Sequence, residues 1–356
     1  MAKALMKGTE AIAEAAVQAG CKYFFGYPIT PQNEIPEYMS ARLPQVGGTY
    51  LQAESEVASI NMVMGGASTG YRVMTTSSSP GISLMAEGIS YIAMAELPCV
   101  IVNVSRGGPG LGNILPAQGD YNQATRGGGH GDYHTIVLAP GNLQEAVDLT
   151  QDAFDLSQKY RTPVLVLVDG FMGQMMEAVE IKPRKTEDPV SNAAWALGWW
   201  DERGGRRTNI YSMQLEPDRL EQHNARLQEK FARIRANEPR YEHYKAEDAE
   251  LLVTSYGTTS RVCRSAINNL RAEGYKVGMM RPLTLWPFPS AGLSFLPDSV
   301  KCILDVEMSP AFPMVDDVRL ATSCSLPIAT AGRWGGFSPS VRQVEEKCKE
   351  LLASKS

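Results

Sequence analysis

From residue 9 to about residue 170, short apolar runs rich in β-branched and aromatic residues alternate with stretches of helical period. That order restricts the chain to a parallel sheet with helices on both faces, because parallel neighbours need a crossover between them. Strands are expected at Lys22 to Phe25, Thr49 to Gln52, Arg72 to Thr76, Cys99 to Val104, Thr135 to Leu138 and Val164 to Val168. Helices are expected over Thr9 to Gln18, Ser55 to Met64, Ile82 to Ala95 and Leu143 to Leu156. Three strands run into loops rich in Gly, Pro, Ser and Thr: Gly26 to Pro31 (GYPITP), Thr75 to Gly81 (TTSSSPG) and Ser105 to Gly112 (SRGGPGLG). Open α/β sheets bind ligands at the carboxyl ends of their strands, so function is expected in these loops.

Residues 183–248 break the pattern. They are charged, rich in Arg and Glu, and carry the Trp199 to Trp200 pair, which reads as a linker with some helix. A second α/β unit begins near Glu250, with strands expected at Leu251 to Thr254, Lys276 to Met280, Lys301 to Asp305 and Pro327 to Ala329 and a closing helix around Val341 to Leu352. Its sheet should have about four or five strands. A chain of 356 residues exceeds what one core usually supports, in keeping with two domains, at 1–182 and 249–356.

With 44% hydrophobic and 21% charged residues the chain reads as an ordinary soluble globular protein. A net charge of -5, with Lys and Arg scattered, offers nothing to nucleic acid. No run of 18 apolar residues suggests a membrane span and the amino terminus lacks secretory character, so a cytoplasmic location is expected. Six widely separated cysteines, without a CxxC pair, give no metal or cluster site; any electron carriers are expected in another chain. Neither a Walker loop nor a GxGxxG fingerprint is present.

In GYPITP the two prolines restrict the backbone around Ile29 and Thr30, which either holds the Thr30 hydroxyl at the strand end or makes Thr30 a helix cap with Pro31 at the first position. In Gln52 to Ser59 (QAESEVAS) Glu54 and Glu56 point to different sides, so at most one faces a pocket; a carboxylate in a first helical turn also simply suits the helix dipole. Arg106, by itself, reads as a loop salt bridge. His130 and His134 flank Asp132 in a Gly-rich loop, as structural groups or a proton relay.

GYPITP, ESEVAS, TTSSSPGISLM, LPCVIVNVSRGGP and GGGHGDY occur in an order that resembles the alpha subunit of 2-oxoacid:ferredoxin oxidoreductases, densely over residues 8–182 and more loosely at RPLTLWPFP and VDDVRLA. The likeness is greatest to the branched-chain type, acting on 2-oxoisovalerate (3-methyl-2-oxobutanoate). The resemblance implies a thiamine diphosphate-binding, pyrimidine-type parallel-sheet domain followed by a smaller transketolase C-terminal-like α/β domain. It implies oxidative decarboxylation of a 2-oxoacid with coenzyme A to acyl-coenzyme A and reduced ferredoxin.

By the same resemblance Glu56 matches the glutamate that hydrogen-bonds the aminopyrimidine of thiamine diphosphate. A carboxyl belongs there because a proton on the ring nitrogen lets the ring's own amino group remove the thiazolium C2 proton. Thr30 matches a substrate-binding threonine, and Arg106 an arginine whose planar fork suits the 2-oxoacid carboxylate. Tyr27, Pro28, Ile29, Ser78 and Ser79, with Ser77 and Gly81, fall in loops the resemblance places near the cofactor; no metal ligand is assigned to this chain. A beta subunit would carry the diphosphate and Mg2+ site and an iron-sulphur cluster, with gamma and ferredoxin-like delta subunits completing the complex. The alternatives are the same chemistry on 2-oxoglutarate or an aryl pyruvate, or a non-catalytic assembly module. Met62, Met64, Leu111 and Ile114 are candidates for an apolar substrate pocket or for core. In EMSPAFP, from Glu307 to Pro313, two prolines stand where the resemblance leads one to expect a more flexible stretch.

Overall fold

The structure, a computed structural model, describes residues 3–186, 189–192, 194–199, 201–202, 204–205, 207–294 and 296–354. Trp200, one member of the tryptophan pair, lies outside the described residues.

The amino-terminal unit holds strands β1 (Ala4–Lys7), β2 (Tyr23–Gly26), β3 (Thr49–Gln52), β4 (Val73–Ser77), β5 (Cys99–Ser105), β6 (Ile136–Leu138), β7 (Pro163–Asp169) and β8 (Met176–Val179). Its helices are α1 (Gly8–Gln18), α2 (Glu34–Gln45), α3 (Glu56–Ser68), α4 (Ser79–Met94), α5 (Tyr121–Thr125), α6 (Leu143–Tyr160) and α7 (Gly170–Gln174). After them come α8 (Pro217–Asn237), β9 (Tyr241–Tyr244), β10 (Leu251–Thr254), α9 (Thr259–Ala272), β11 (Val277–Pro282), β12 (Thr284–Trp286), α10 (Ala291–Ser294), β13 (Cys302–Glu307), α11 (Val315–Ala321), β14 (Ile328–Gly332) and α12 (Val341–Ala353).

The first sheet has the order β12-β6-β7-β5-β4-β2-β3, parallel throughout except for β12. Its central strands β5 (CVIVNVS) and β7 (PVLVLVD) are buried along their whole length, which is why they read as apolar runs rather than alternating ones. From β2 the chain crosses to β3 on one side, whereas from β4 it crosses to β5 on the other. The neighbours β2 and β4 therefore form a topological switch point, where the loops at the strand ends diverge and leave a crevice. The second sheet, β14-β13-β10-β11-β9, has four parallel strands and β9 antiparallel at one edge. Its five strands and the mixed α/β architecture agree with the sequence-based expectation.

Four strands depart from that expectation. β1 and β8 pair with each other antiparallel as a separate two-stranded sheet. β9 lies in the charged segment read as linker and is added to the second sheet's edge; β12, from the second unit, is added antiparallel to β6 of the first. Between the units, Arg281 on β11 is buried and makes a two-pronged ion pair with Glu145 of α6, at 2.7 and 2.8 Å, and two bonds to Glu242 Oε2 of β9, at 2.7 and 3.1 Å.

Candidate active site

The three polar loops meet at the carboxyl ends of β2, β4 and β5, on either side of the switch point. β2 delivers GYPITP, which the buried Gln32 anchors: its Nε2 donates to Tyr27 O at 3.1 Å, and its Oε1 accepts from the Thr76 hydroxyl of β4. Helix α2 begins at Glu34 with Asn33 before it, so Thr30 is not its cap. Thr30 is half-buried, and its hydroxyl accepts from Asn33 Nδ2 at 3.4 Å, leaving its own proton to give. Tyr27 and Ile29 are half-buried and Pro28 is exposed.

β3 leads into α3, whose cap is Ser55, accepting from Ala58 N at 3.2 Å. The cap fixes the first turn and so decides between the two acids: Glu54 is exposed, whereas Glu56, the first helical residue, is 5% exposed. Among the described residues none donates a hydrogen bond to the Glu56 carboxylate. Against it lies Gly81 of α4, where a Cβ would stand 2.7 Å from Glu56 Oε1 and would overlap Ser77 Oγ. The Ser77 and Ser78 hydroxyls are fully buried and have no hydrogen-bond partner among the described residues. A buried polar group left unpaired costs on the order of 1–3 kcal/mol, so this cluster of unmet acceptors and donors calls for a polar ligand.

Ser79 differs from its neighbours. Its hydroxyl donates to Asp120 Oδ2 at 2.6 Å and accepts from Arg106 N at 2.9 Å, and its backbone N–H donates to Asn103 Oδ1 at 3.1 Å. Arg106, 8% exposed, has no ion-pair partner among the described residues. Instead Nη1 donates to Thr30 O at 2.9 Å and Nη2 to Leu111 O at 3.2 Å, which ties GYPITP to the Gly-rich loop. Its Nε is buried and unpartnered, so the guanidinium still has unused N–H groups on a planar face.

The histidines lie elsewhere. His134 precedes β6 and so sits at the amino-terminal edge of the sheet, stacked on Trp286 at 4.4 Å and edge-on to Phe231 at 5.4 Å; burial holds its pKa down. His130 is exposed in the same loop. Of the pocket candidates, Met64 packs against the core, whereas Leu111 and Ile114 are 79% and 57% exposed on the Gly-rich loop. Asp120 and Asn103, which hold Ser79, were not singled out in the sequence, and nothing local marks them.

The family model for "Pyruvate flavodoxin/ferredoxin oxidoreductase, thiamine diP-bdg" matches residues 14–242, and that for "Pyruvate:ferredoxin oxidoreductase core domain II" matches residues 249–344. The chain belongs to the 2-oxoacid:ferredoxin oxidoreductase family. As a family member it carries the thiamine diphosphate-binding domain and is a subunit of an oxidoreductase. The ketoisovalerate oxidoreductase subunit VorB of Methanothermobacter thermautotrophicus is 48% identical over 356 residues, with 100% of both chains covered. The 2-oxoglutarate synthase subunit KorA of Methanocaldococcus jannaschii is 39% identical, covering 80% of this chain and 83% of its own.

Among solved structures, the 2-oxoglutarate:ferredoxin oxidoreductase from Magnetococcus marinus with 2-oxoglutarate, coenzyme A and succinyl-CoA bound matches with a TM-score of 0.87 at 28% identity. The match takes in 98% of this chain and 65% of that one, so this family member spans about two thirds of its length. A split gene transketolase matches at 12% identity with a TM-score of 0.60, a likeness of fold alone.

Proposed function

We propose that this subunit binds the pyrimidine side of thiamine diphosphate through Glu56 and takes part in the oxidative decarboxylation of a branched-chain 2-oxoacid to its acyl-coenzyme A, with ferredoxin as electron acceptor. The observation that carries the reading is the buried Glu56 carboxylate, met by no donor among the described residues and lying against Gly81 at the start of α4. The surroundings fit a planar polar ring: two buried hydroxyls without partners, and a glycine where any side chain would fill the space against Glu56.

When bound, thiamine diphosphate supplies the electron sink that lets the bond between the carboxyl and carbonyl carbons of the 2-oxoacid break. Glu56 holds a proton at the pyrimidine nitrogen. The unused N–H groups of Arg106 bind the substrate carboxylate, and the Thr30 hydroxyl donates to a substrate oxygen. The Tyr27, Pro28 and Ile29 backbone and the Ser78 hydroxyl line the ring, while Ser79 fixes the loop from behind. Residues 1–182 form the pyrimidine-binding domain, 183–248 connect it, and 249–356 form the transketolase C-terminal-like domain, with β9 of the connector added to its sheet.

A beta subunit contributes the diphosphate contacts, Mg2+ and a cluster, and gamma and ferredoxin-like delta subunits complete the path to ferredoxin, all in the cytoplasm. Among the described residues no helix is long and apolar enough to cross a membrane. The branched-chain substrate is favoured by 48% identity over the full length to a ketoisovalerate oxidoreductase subunit, and by the apolar Leu111 whose carbonyl Arg106 touches. In the assembled complex, Glu56→Gln should slow turnover about 100-fold or more, and a near-normal rate would remove the assignment. Ranking 3-methyl-2-oxobutanoate, 2-oxoglutarate and an aryl pyruvate by kcat/KM tests the substrate; a preference for 2-oxoglutarate would overturn the branched-chain choice.

A further inference from the structure

Gln118 belongs to the first domain, between the Gly-rich loop and α5, yet its hydrogen bonds all go to the second. Nε2 donates to Tyr256 O at 2.9 Å, and Oε1 accepts from Thr259 Oγ1 and from Met308 N, each at 2.8 Å. Its backbone N–H donates to Met308 O at 3.0 Å, and its carbonyl accepts from Tyr256 OH at 3.1 Å. Gln118 is 3% exposed. Tyr256 and Thr259 follow β10 and Met308 follows β13, so the residue plugs the carboxyl edge of the second sheet. With its oxygen taken by two donors and its nitrogen by a carbonyl, the amide has one orientation; a flip would set donor against donor.

Two residues on, Asp120 Oδ2 accepts from Ser79 Oγ at 2.6 Å and from Asn103 Nδ2 at 2.9 Å, and Ser79 Oγ accepts from Arg106 N. One glycine, Gly119, separates the plug from this network. The place of Asp120, and with it the start of α4 and the backbone of Arg106, is thus referred to the second domain. We infer that Gln118 and Asp120 are positioning residues through which the second domain sets the Arg106 guanidinium for the substrate carboxylate. The inference rests on the reading of Arg106 given above. Gln118 touches neither substrate nor cofactor, so loosening it displaces the carboxylate ligand while leaving Glu56 in its own helix.

The test compares Gln118→Met, Tyr256→Phe and Arg106→Ala in the assembled complex, by kcat, KM for the 2-oxoacid and thiamine content. Gln118→Met should raise KM about tenfold and Tyr256→Phe about two- to threefold, both with wild-type thiamine content, since small misplacements transmitted from afar carry penalties of this order. Unchanged KM in both, with only a lower melting temperature, overturns the inference and leaves the clasp a domain fastener. If Arg106→Ala itself leaves KM unchanged, the site reading fails and takes the inference with it, a result distinct from the first. Should Gln118→Met fail to assemble, Tyr256→Phe decides alone, because it removes a single hydroxyl.

Discussion

At the scale of single residues the crevice depends on what is absent at Gly81. Gly81→Ala would push a methyl group into Ser77 Oγ and Glu56 Oε1, both side-chain atoms at the place proposed for the ring. The assembled variant should lose thiamine and at least tenfold in kcat/KM, since one misplaced group near the reacting centre carries penalties of that order. Gly65 of α3, where an added methyl group would meet no atom within 4 Å, is the control: Gly65→Ala should keep activity and stabilise the helix by roughly 0.5–1 kcal/mol. Equal effects at both positions would sink the argument. The sequence could say that only one of Glu54 and Glu56 faces a pocket, because period and capping are local. It could not show Ser79 bound to Asp120, because the partners lie 41 residues apart and meet only through the sheet.

At the scale of elements, the strands and helices with strong local patterns were legible to within a few residues. Helix α6 is an example: Asn142 accepts from Glu145 N at 2.9 Å at its start, and one face, with Leu143, Ala146, Val147 and Phe154, is buried. Asn142→Ala should lower stability by about 1 kcal/mol through the lost cap, and Phe154→Ala by about 3–5 kcal/mol through lost burial and the cavity left behind. Thermal unfolding of the purified chain orders the two, and a larger loss for Asn142→Ala would contradict the burial account. Strands β9 and β12 escaped the sequence reading for a different reason. Each is three or four residues long and is stabilised by a partner strand distant in sequence, so its local pattern carries little signal.

At the scale of the whole molecule, the second domain is held by buried polar contacts, and one of these carries a pH dependence. Asp305 and Glu307 lie two residues apart on β13, both fully buried. Thr254 Oγ1 donates to Asp305 Oδ1 at 2.7 Å and Met314 N to Glu307 Oε1 at 3.0 Å, while among the described residues nothing donates to Asp305 Oδ2 or Glu307 Oε2. Burial, opposed by the bonds from its neighbours, pushes the Asp305 carboxyl up to about 6; burial and then the charge of Asp305 push Glu307 up as well. The folded chain therefore holds protons that the unfolded chain releases near pH 4. The pair's contribution to stability is greatest below that pH and falls as pH rises toward the folded-state values. Asp305→Asn keeps the acceptor for Thr254 and gives Glu307 a permanent donor, removing one of the two titrations. Its unfolding free energy should match that of wild type near pH 4 and exceed it at pH 8, by on the order of 2 kcal/mol. A wild-type chain that instead gains stability between pH 4 and 7 relative to this variant would mean that the pair is ionised when folded.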